Sequence, residues 1–251
     1  MKKVIKVIII SLFWILIWYI FSILIDLPLL FPTPWDVIKR IGELAITGRF
    51  YLIILSSLGR ILLGIFIAII LSLIMALLCT LFKTVYEFFI PLVSIMKSTP
   101  IVAFVYLVNL FLHNESTVVL ICFLMVFPIV FTNIYQGIKS IDTDLIEMCK
   151  IYNIPLKKQL ISIYIPSVIP YFLSSLISSI GLAWKAGVAA EVLCTPNISI
   201  GIEIFYANSN LELIDLFAWT VFGIVLCILF ESGTKKIFKS ILKKKQLDLE
   251  I

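Results

Sequence analysis

The sequence predicts an all-α membrane protein of about six transmembrane helices, and three observations carry that prediction. Of the 251 residues, 62% are hydrophobic and only 14% are charged, against roughly 45–50% and about 25% in soluble domains. Apolar stretches free of charge recur at lengths near the roughly 20 residues that cross a hydrocarbon layer about 30 Å thick. The lysines and arginines are distributed very unevenly among the segments between those stretches.

Taken in order, the first span is Val4 to Ile25. Lys2, Lys3 and Lys6 precede it as they would in a secretory signal, but the run from Val7 to Ile25 has no small-residue cleavage site, so it reads as a retained helix. Next, Thr33-Pro34-Trp35-Asp36 offers a cap, a proline at the first helical position and an acid in the first turn. Val37, Ile41, Leu44 and Ala45 then recur at helical spacing opposite Asp36, Lys39, Arg40 and Glu43. This predicts a short amphipathic helix on the outer surface, as an interfacial anchor in the lipid headgroups or as a contact for an external partner.

Ile61 to Phe82 is the second span. Ile101 to Leu112 is too short alone and reaches spanning length only with Phe88 to Met96, while Lys97 and Pro100 interrupt the pair, so a bent or broken element is expected. Thr117 to Gln136, Val168 to Ala190 and Leu216 to Phe230 complete the set. The whole chain, 1–251, reads as one transmembrane domain: the first span and outer helix over 1–50, a core over 51–235, and a basic tail over 236–251.

Orientation follows from the basic residues, because cytoplasmic loops near membrane helices retain positive charge. With the N-terminus inside, fourteen of the 20 Lys and Arg fall in cytoplasmic segments, among them Lys83, Lys139, Lys150, Lys157, Lys158 and the tail lysines up to Lys245. The outer segments hold only Lys39, Arg40 and Arg49, and both termini are therefore expected in the cytoplasm.

Several functions are disfavoured by what the chain carries. The five cysteines are scattered singly with no C-x-x-C pair, which reads as buried free thiols. The single His113 stands without a local cysteine or acid cluster, so neither a metal site nor a hydrolytic triad is supported. No basic run interleaved with aromatics suggests nucleic acid. No G-x-x-x-x-G-K-[ST] phosphate cradle occurs either, so ATP is not held here by that route and no cofactor is assigned to this chain.

One polar stretch breaks the apolar pattern on the side assigned to the cytoplasm, Ser140 to Gln159. It is about twenty residues long where a connection needs only a few. Asp142 and Asp144 suit a helix start, Asn153 suits a left-handed helix end and Pro155 suits a second start, so two short helices joined at Asn153-Ile154 are expected. Apolar Ile151, Ile154 and Leu156 stand beside Tyr152 and the charges Glu147, Lys150 and Lys157, a composition suited to docking in a groove. A solvated loop whose lysines only set topology is the plainer reading.

The run from Glu147 to Pro166 resembles the cytoplasmic loop of binding-protein-dependent ABC importer permeases, with Glu147 at its first place and Ile163, Ile165 and Pro166 at its last. Met148 and Cys149 replace two alanines of that pattern and Asn153 replaces its glycine. Phe31-Pro32-Thr33-Pro34, Ser56-Ser57-Leu58-Gly59-Arg60, Lys97-Ser98-Thr99-Pro100 and Gly181-Leu182-Ala183-Trp184-Lys185 followed by Val188-Ala189-Ala190-Glu191 are similar to landmarks of the nitrate, sulfonate and taurine type. The resemblance covers about residues 30–235. It implies a type I importer permease acting as a homodimer in the cell membrane. It also implies a separate ABC ATPase subunit that binds ATP and magnesium, an external solute-binding protein, and a coupling helix between spans four and five.

Span five is rich in small residues, including Ser175, Ser178 and Ser179, which suit either close helix packing or a roomy solute path. Lys185 sharpens the second reading, because charge at that depth marks a polar cavity or a partner, although lysine can also snorkel. Trp184, Glu191 and Arg60 join the candidate path residues. Glu191 lies on a different face from Lys185 and is not paired with it, and Arg60 at the outer end of span two suits headgroup contact or an anion. The substrate class implied by the resemblance is a small anion or sulfonate, with a vitamin precursor such as a thiamine pyrimidine or riboflavin as the alternative. An ion-gradient-driven transporter would show an internal repeat or a buried acid pair, and neither is legible.

Overall fold

The computed structural model describes residues 2–25, 27 and 30–244, and every regular element in that range is helical. Of the expected basic tail over 236–251, residues 236–244 continue the last helix and 245–251 lie outside the described residues. The helices are α1 (Lys2–Ile25), α2 (Pro34–Ala45), α3 (Gly48–Leu81), α4 (Lys83–Ser98), α5 (Ile101–Asn109), α6 (Asn114–Lys139), α7 (Thr143–Ile151), α8 (Leu156–Gln159), α9 (Ile165–Cys194), α10 (Ile200–Ser209) and α11 (Leu213–Lys244). A π-helical turn, Leu160–Tyr164, joins α8 to α9.

Among the described residues four helical stretches are long and apolar enough to span a bilayer: Gly48–Leu81, Asn114–Lys139, Leu156–Cys194 and Leu213–Phe238. The expected broken element is α4 with α5, which together make a fifth and are bent by 103°. Pro100 causes the break, since it cannot donate to the preceding turn and holds Thr99 in an extended conformation (ψ 126°). Lys97 ends the first half and donates to Thr132 Oγ1 at 2.9 Å. The remaining apolar helix is α1, 24 residues long and apolar from Ile9 to Ile25.

The chain divides into two compact units, 1–57 with 195–226, and 58–194 with 227–251. In the first, α2 forms where its cap predicts: Thr33 Oγ1 accepts from Asp36 N at 3.2 Å and Pro34 opens the helix. Val37 is buried on the inner face while Trp35 and Ile38 are exposed. Arg40 reaches from this helix to both carboxylate oxygens of Asp215, Nη2 to Oδ2 at 2.9 Å, and to Glu43 at 3.1 Å. These bonds hold the guanidinium above its ordinary pKa, Asp215 contributing most, against the smaller opposing effect of burial. Arg49 pairs with Glu203 at 3.1 Å, and Ser57 Oγ accepts from Ile200 N at 2.9 Å to start α10.

In the second unit α6 and α9 form the most extensive helix pair, with α4 and α5 packed against them. Helix approach there is set by two glycines. A Cβ at residue 64 would lie 2.6 Å from Cys122 Cβ, and one at residue 187 would lie 2.7 Å from Ile61 Cγ1 and 2.9 Å from Cys122 Sγ. At Gly64 the backbone of α3 therefore comes close to that of α6, and at Gly187 the side chains of Ile61 and Cys122 fill the space that α9 leaves. Further along α3, Ser72 Oγ donates to Phe127 O at 3.1 Å, tying α3 to α6. All five cysteines are free and buried.

Candidate functional site

The polar stretch folds into a finger. Asp142 caps α7 by accepting from Asp144 N at 2.9 Å, and the helix ends through Asn153 N to Lys150 O and Ile154 N to Cys149 O, at 3.2 and 2.9 Å. This is the double-bonded left-handed helix end, and Asn153 has φ 48° as that geometry requires. Asparagine is the residue after glycine that tolerates this region, which is why the glycine of the resembling pattern can be absent here. Gln159 Nε2 donates to Ile154 O at 2.7 Å and closes the turn from the other side.

The second short helix is not separate, as the sequence reading has it. α8 has four residues and runs through the π-helical turn into α9, so that Leu156–Cys194 forms one 39-residue helical stretch. The reason is that nothing between Gln159 and Pro166 breaks a helix, and Pro166 lies near the start of α9 rather than between two elements. The finger thus continues directly into a spanning helix. At its tip Ile151, Tyr152 and Leu156 are 75%, 74% and 75% exposed, beside exposed Glu147, Lys150 and Lys157, while Ile154 is half-buried.

The candidate path residues separate onto two faces of α9. Ser175, Ser179, Trp184 and Glu191 are buried, Trp184 stacking on Phe230 at 5.8 Å between ring centroids. Ser178 and Lys185 are exposed, in a row with Ser174, Leu182 and Ala189 at spacings of three and four. That spacing is one helix face, and it is the face the chain leaves uncovered.

Arg60 departs from both readings given for it. Its side chain is 11% exposed and Glu191 is fully buried. Nε and Nη2 of Arg60 donate to Glu191 Oε1 at 3.1 and 2.8 Å, and Nη1 donates to Glu115. The guanidinium therefore joins α3, α9 and α6 one turn beyond the layer of Gly64, Cys122 and Gly187. A buried charge needs such partners, since desolvation costs several kcal/mol per ion. The pairing had a faint signal in the sequence: Arg60 opens one apolar run, Glu115 precedes another and Glu191 closes a third, and alternating spans bring those ends together.

Glu231 was not singled out, because the apolar run of the last span stops at Phe230. The helix continues to Lys244, and Glu231 is half-buried against α9. A Cβ at residue 181 would sit 1.8 Å from Glu231 Oε1, so the carboxylate occupies the space that Gly181 leaves. The thiol of Cys227 stands 3.9 Å away on the same helix.

The described residues form an all-helical arrangement of bent and straight apolar helices with a structured polar finger, an open face of α9 that carries Lys185 and a buried ion pair between α3 and α9. Residues 68–241 match the family described as binding-protein-dependent transport system inner membrane component, and the chain belongs to that family. It is a permease subunit of an ABC importer. It is similar to a putative ABC transporter permease of Methanocaldococcus jannaschii, 28% identical over 201 residues, 78% of this chain and 75% of the relative. It is similar also to the putative aliphatic sulfonates transport permease SsuC of Bacillus subtilis, 24% identical over 213 residues, 84% and 77% of the two chains. The nitrate import permease NrtB of Synechococcus elongatus is 28% identical over 143 residues, 56% and 50%.

Proposed function

We propose that the chain is the solute-conducting subunit of the importer, working as a homodimer. A separate ATPase subunit, which itself binds and hydrolyses ATP with magnesium, docks on the α7–α8 finger, and an external binding protein delivers the solute. The observation that carries this reading is the apolar tip of the finger. Water leaves no reason for Ile151, Tyr152 and Leu156 to be held out together, whereas burying each in a partner's groove is worth about 1.5–3 kcal/mol. The left-handed turn at Asn153 makes that tip a fixed shape, and the surrounding charges give the groove a register.

The uneven lysines support a cytoplasmic finger and cytoplasmic termini. The uncovered row Ser174, Ser178, Leu182, Lys185 and Ala189 supports a path between two copies, since a lysine on a face turned to acyl chains is costly. For the solute, relatives named for sulfonates, nitrate and bicarbonate favour a small oxyanion. With Arg60 engaged by two carboxylates, Lys185 is the basic group on the open face of α9 that would meet it.

The test is purification of the tagged permease from cells that also carry its ATPase. Expected is co-purification of an ATPase whose hydrolysis rises with solute-loaded binding protein, and loss of both with Glu147→Lys. Uptake that survives ATP depletion but stops when the proton gradient collapses would replace this reading by a secondary transporter.

A further inference from the structure

We propose that Arg60 and Glu191 are positioning residues that pin the C-terminal end of α9, making it the pivot about which the span moves when the finger is driven. The inference rests on the reading that α7 and α8 receive force from an ATPase, and it adds what the rest of the span does with that force.

The two ends of α9 are held differently: near the N-terminal foot Tyr171 packs on Gly137 of α6, and the C-terminal end adds a buried ion pair. At the C-terminal end two successive turns are fixed against neighbours. Gly187 lies against Ile61 and Cys122 with no room for a methyl group, and one turn on Glu191 is held by two bonds from Arg60, itself bonded to Glu115. Cys122 Sγ donates to Ala183 O at 3.6 Å, tying the preceding turn to α6 as well. Sliding here would separate buried opposite charges and open a void between Gly187 and the side chains of Ile61 and Cys122, both of which are costly.

At the N-terminal end the ladder of backbone bonds is weakened. Leu160–Tyr164 is a π-helical turn, and Pro166 and Pro170 follow it, each removing one amide donor. The oxygen of Ile163 is met by Ser167 Oγ at 2.8 Å. Prolines and π-turns are the usual places where a long helix bends. From Pro170 to Glu191 the helix is about 32 Å long at 1.5 Å per residue, so a tilt of about 6° about the pinned end displaces the foot by about 3 Å. Movement entering at the finger is thereby expressed in the N-terminal half of the span and along its open face, while the C-terminal end keeps its place.

Cys122 supplies the readout, because it is buried in the pinned layer. In a permease whose other four cysteines are serine, maleimide labelling of Cys122 in isolated membranes is expected to be at least tenfold faster in Glu191→Gln and Arg60→Met. It should stay near the unmutated rate in Arg60→Lys, which keeps a cation between Glu191 and Glu115. Protection of Cys122 in both Glu191→Gln and Arg60→Met overturns the pin. A second arm uses the permease–ATPase complex, without nucleotide and trapped with magnesium, ATP and vanadate. The thiol of a Ser167→Cys variant, at the foot, is expected to change its labelling rate at least threefold on trapping, and Cys122 is not. Equal changes at both sites, or no change at either, overturn the pivot. Failure of the ATPase to co-purify with the unmutated permease counts against the docking reading alone, and the first arm still decides whether the ion pair holds the helix end.

Discussion

Charges inside a membrane protein carry information because each must be explained. Lys185 lies on the face of α9 that the chain leaves open. Lys185→Met keeps the apolar stem and removes the charge, so it is expected to insert normally and to lower uptake, measured as the initial rate of ATP-driven transport per inserted permease. Uptake at the unmutated rate would assign the lysine to headgroup contact. Glu231 is explained by the space at Gly181. A Gly181→Val change places a branched side chain where the carboxylate lies and is expected to destabilise by about 1–3 kcal/mol, as overpacking does, read as a lower melting temperature in detergent. Gly223, with nothing within 4 Å of its missing Cβ, is the control site for the same substitution and is expected to be tolerated.

Among the elements, the finger depends on one backbone conformation. Asn153 at φ 48° lies where a β-branched residue is strained by about 1–2 kcal/mol and glycine is not. Asn153→Gly is therefore expected to retain ATPase association, and Asn153→Val to weaken it, with both variants reaching the membrane. A pull-down with the ATPase compares them directly, and equal association would remove the turn from the interface. The α2 helix makes a separate, smaller case. Thr33 both caps Asp36 N and donates to Asp36 Oδ2 at 2.7 Å, so Thr33→Ala should cost about 1 kcal/mol, seen as faster amide exchange in the first turn of α2.

For the whole molecule the decisive quantity is orientation. Reporter fusions after Ser140 are expected to read as cytoplasmic and fusions after Arg49 as external, given fourteen basic residues on one side and three on the other. A cytoplasmic reading after Arg49 would put α2 and its Arg40–Asp215 pair on the wrong side for an external partner. An external reading after Ser140 would remove the finger from ATP altogether.

Composition, apolar run length and cap residues were enough to place the apolar cores of the spans, the break at Pro100, the amphipathic α2 and the left-handed Asn153, because each follows from local rules within a few residues; the start of α3 at Gly48 and the helix α10 were not placed. The fold class and the polar finger were legible for the same reason. Which buried groups meet was not, since Arg60 and Glu191 are 131 positions apart and Gly181 touches Glu231 on another helix. Pattern reading assigned Arg60 to headgroups or an anion because it sees a residue beside its sequence neighbours. Only tertiary packing, which brings span ends into register and leaves one face of α9 uncovered, decided that this arginine is occupied and that Lys185 is exposed.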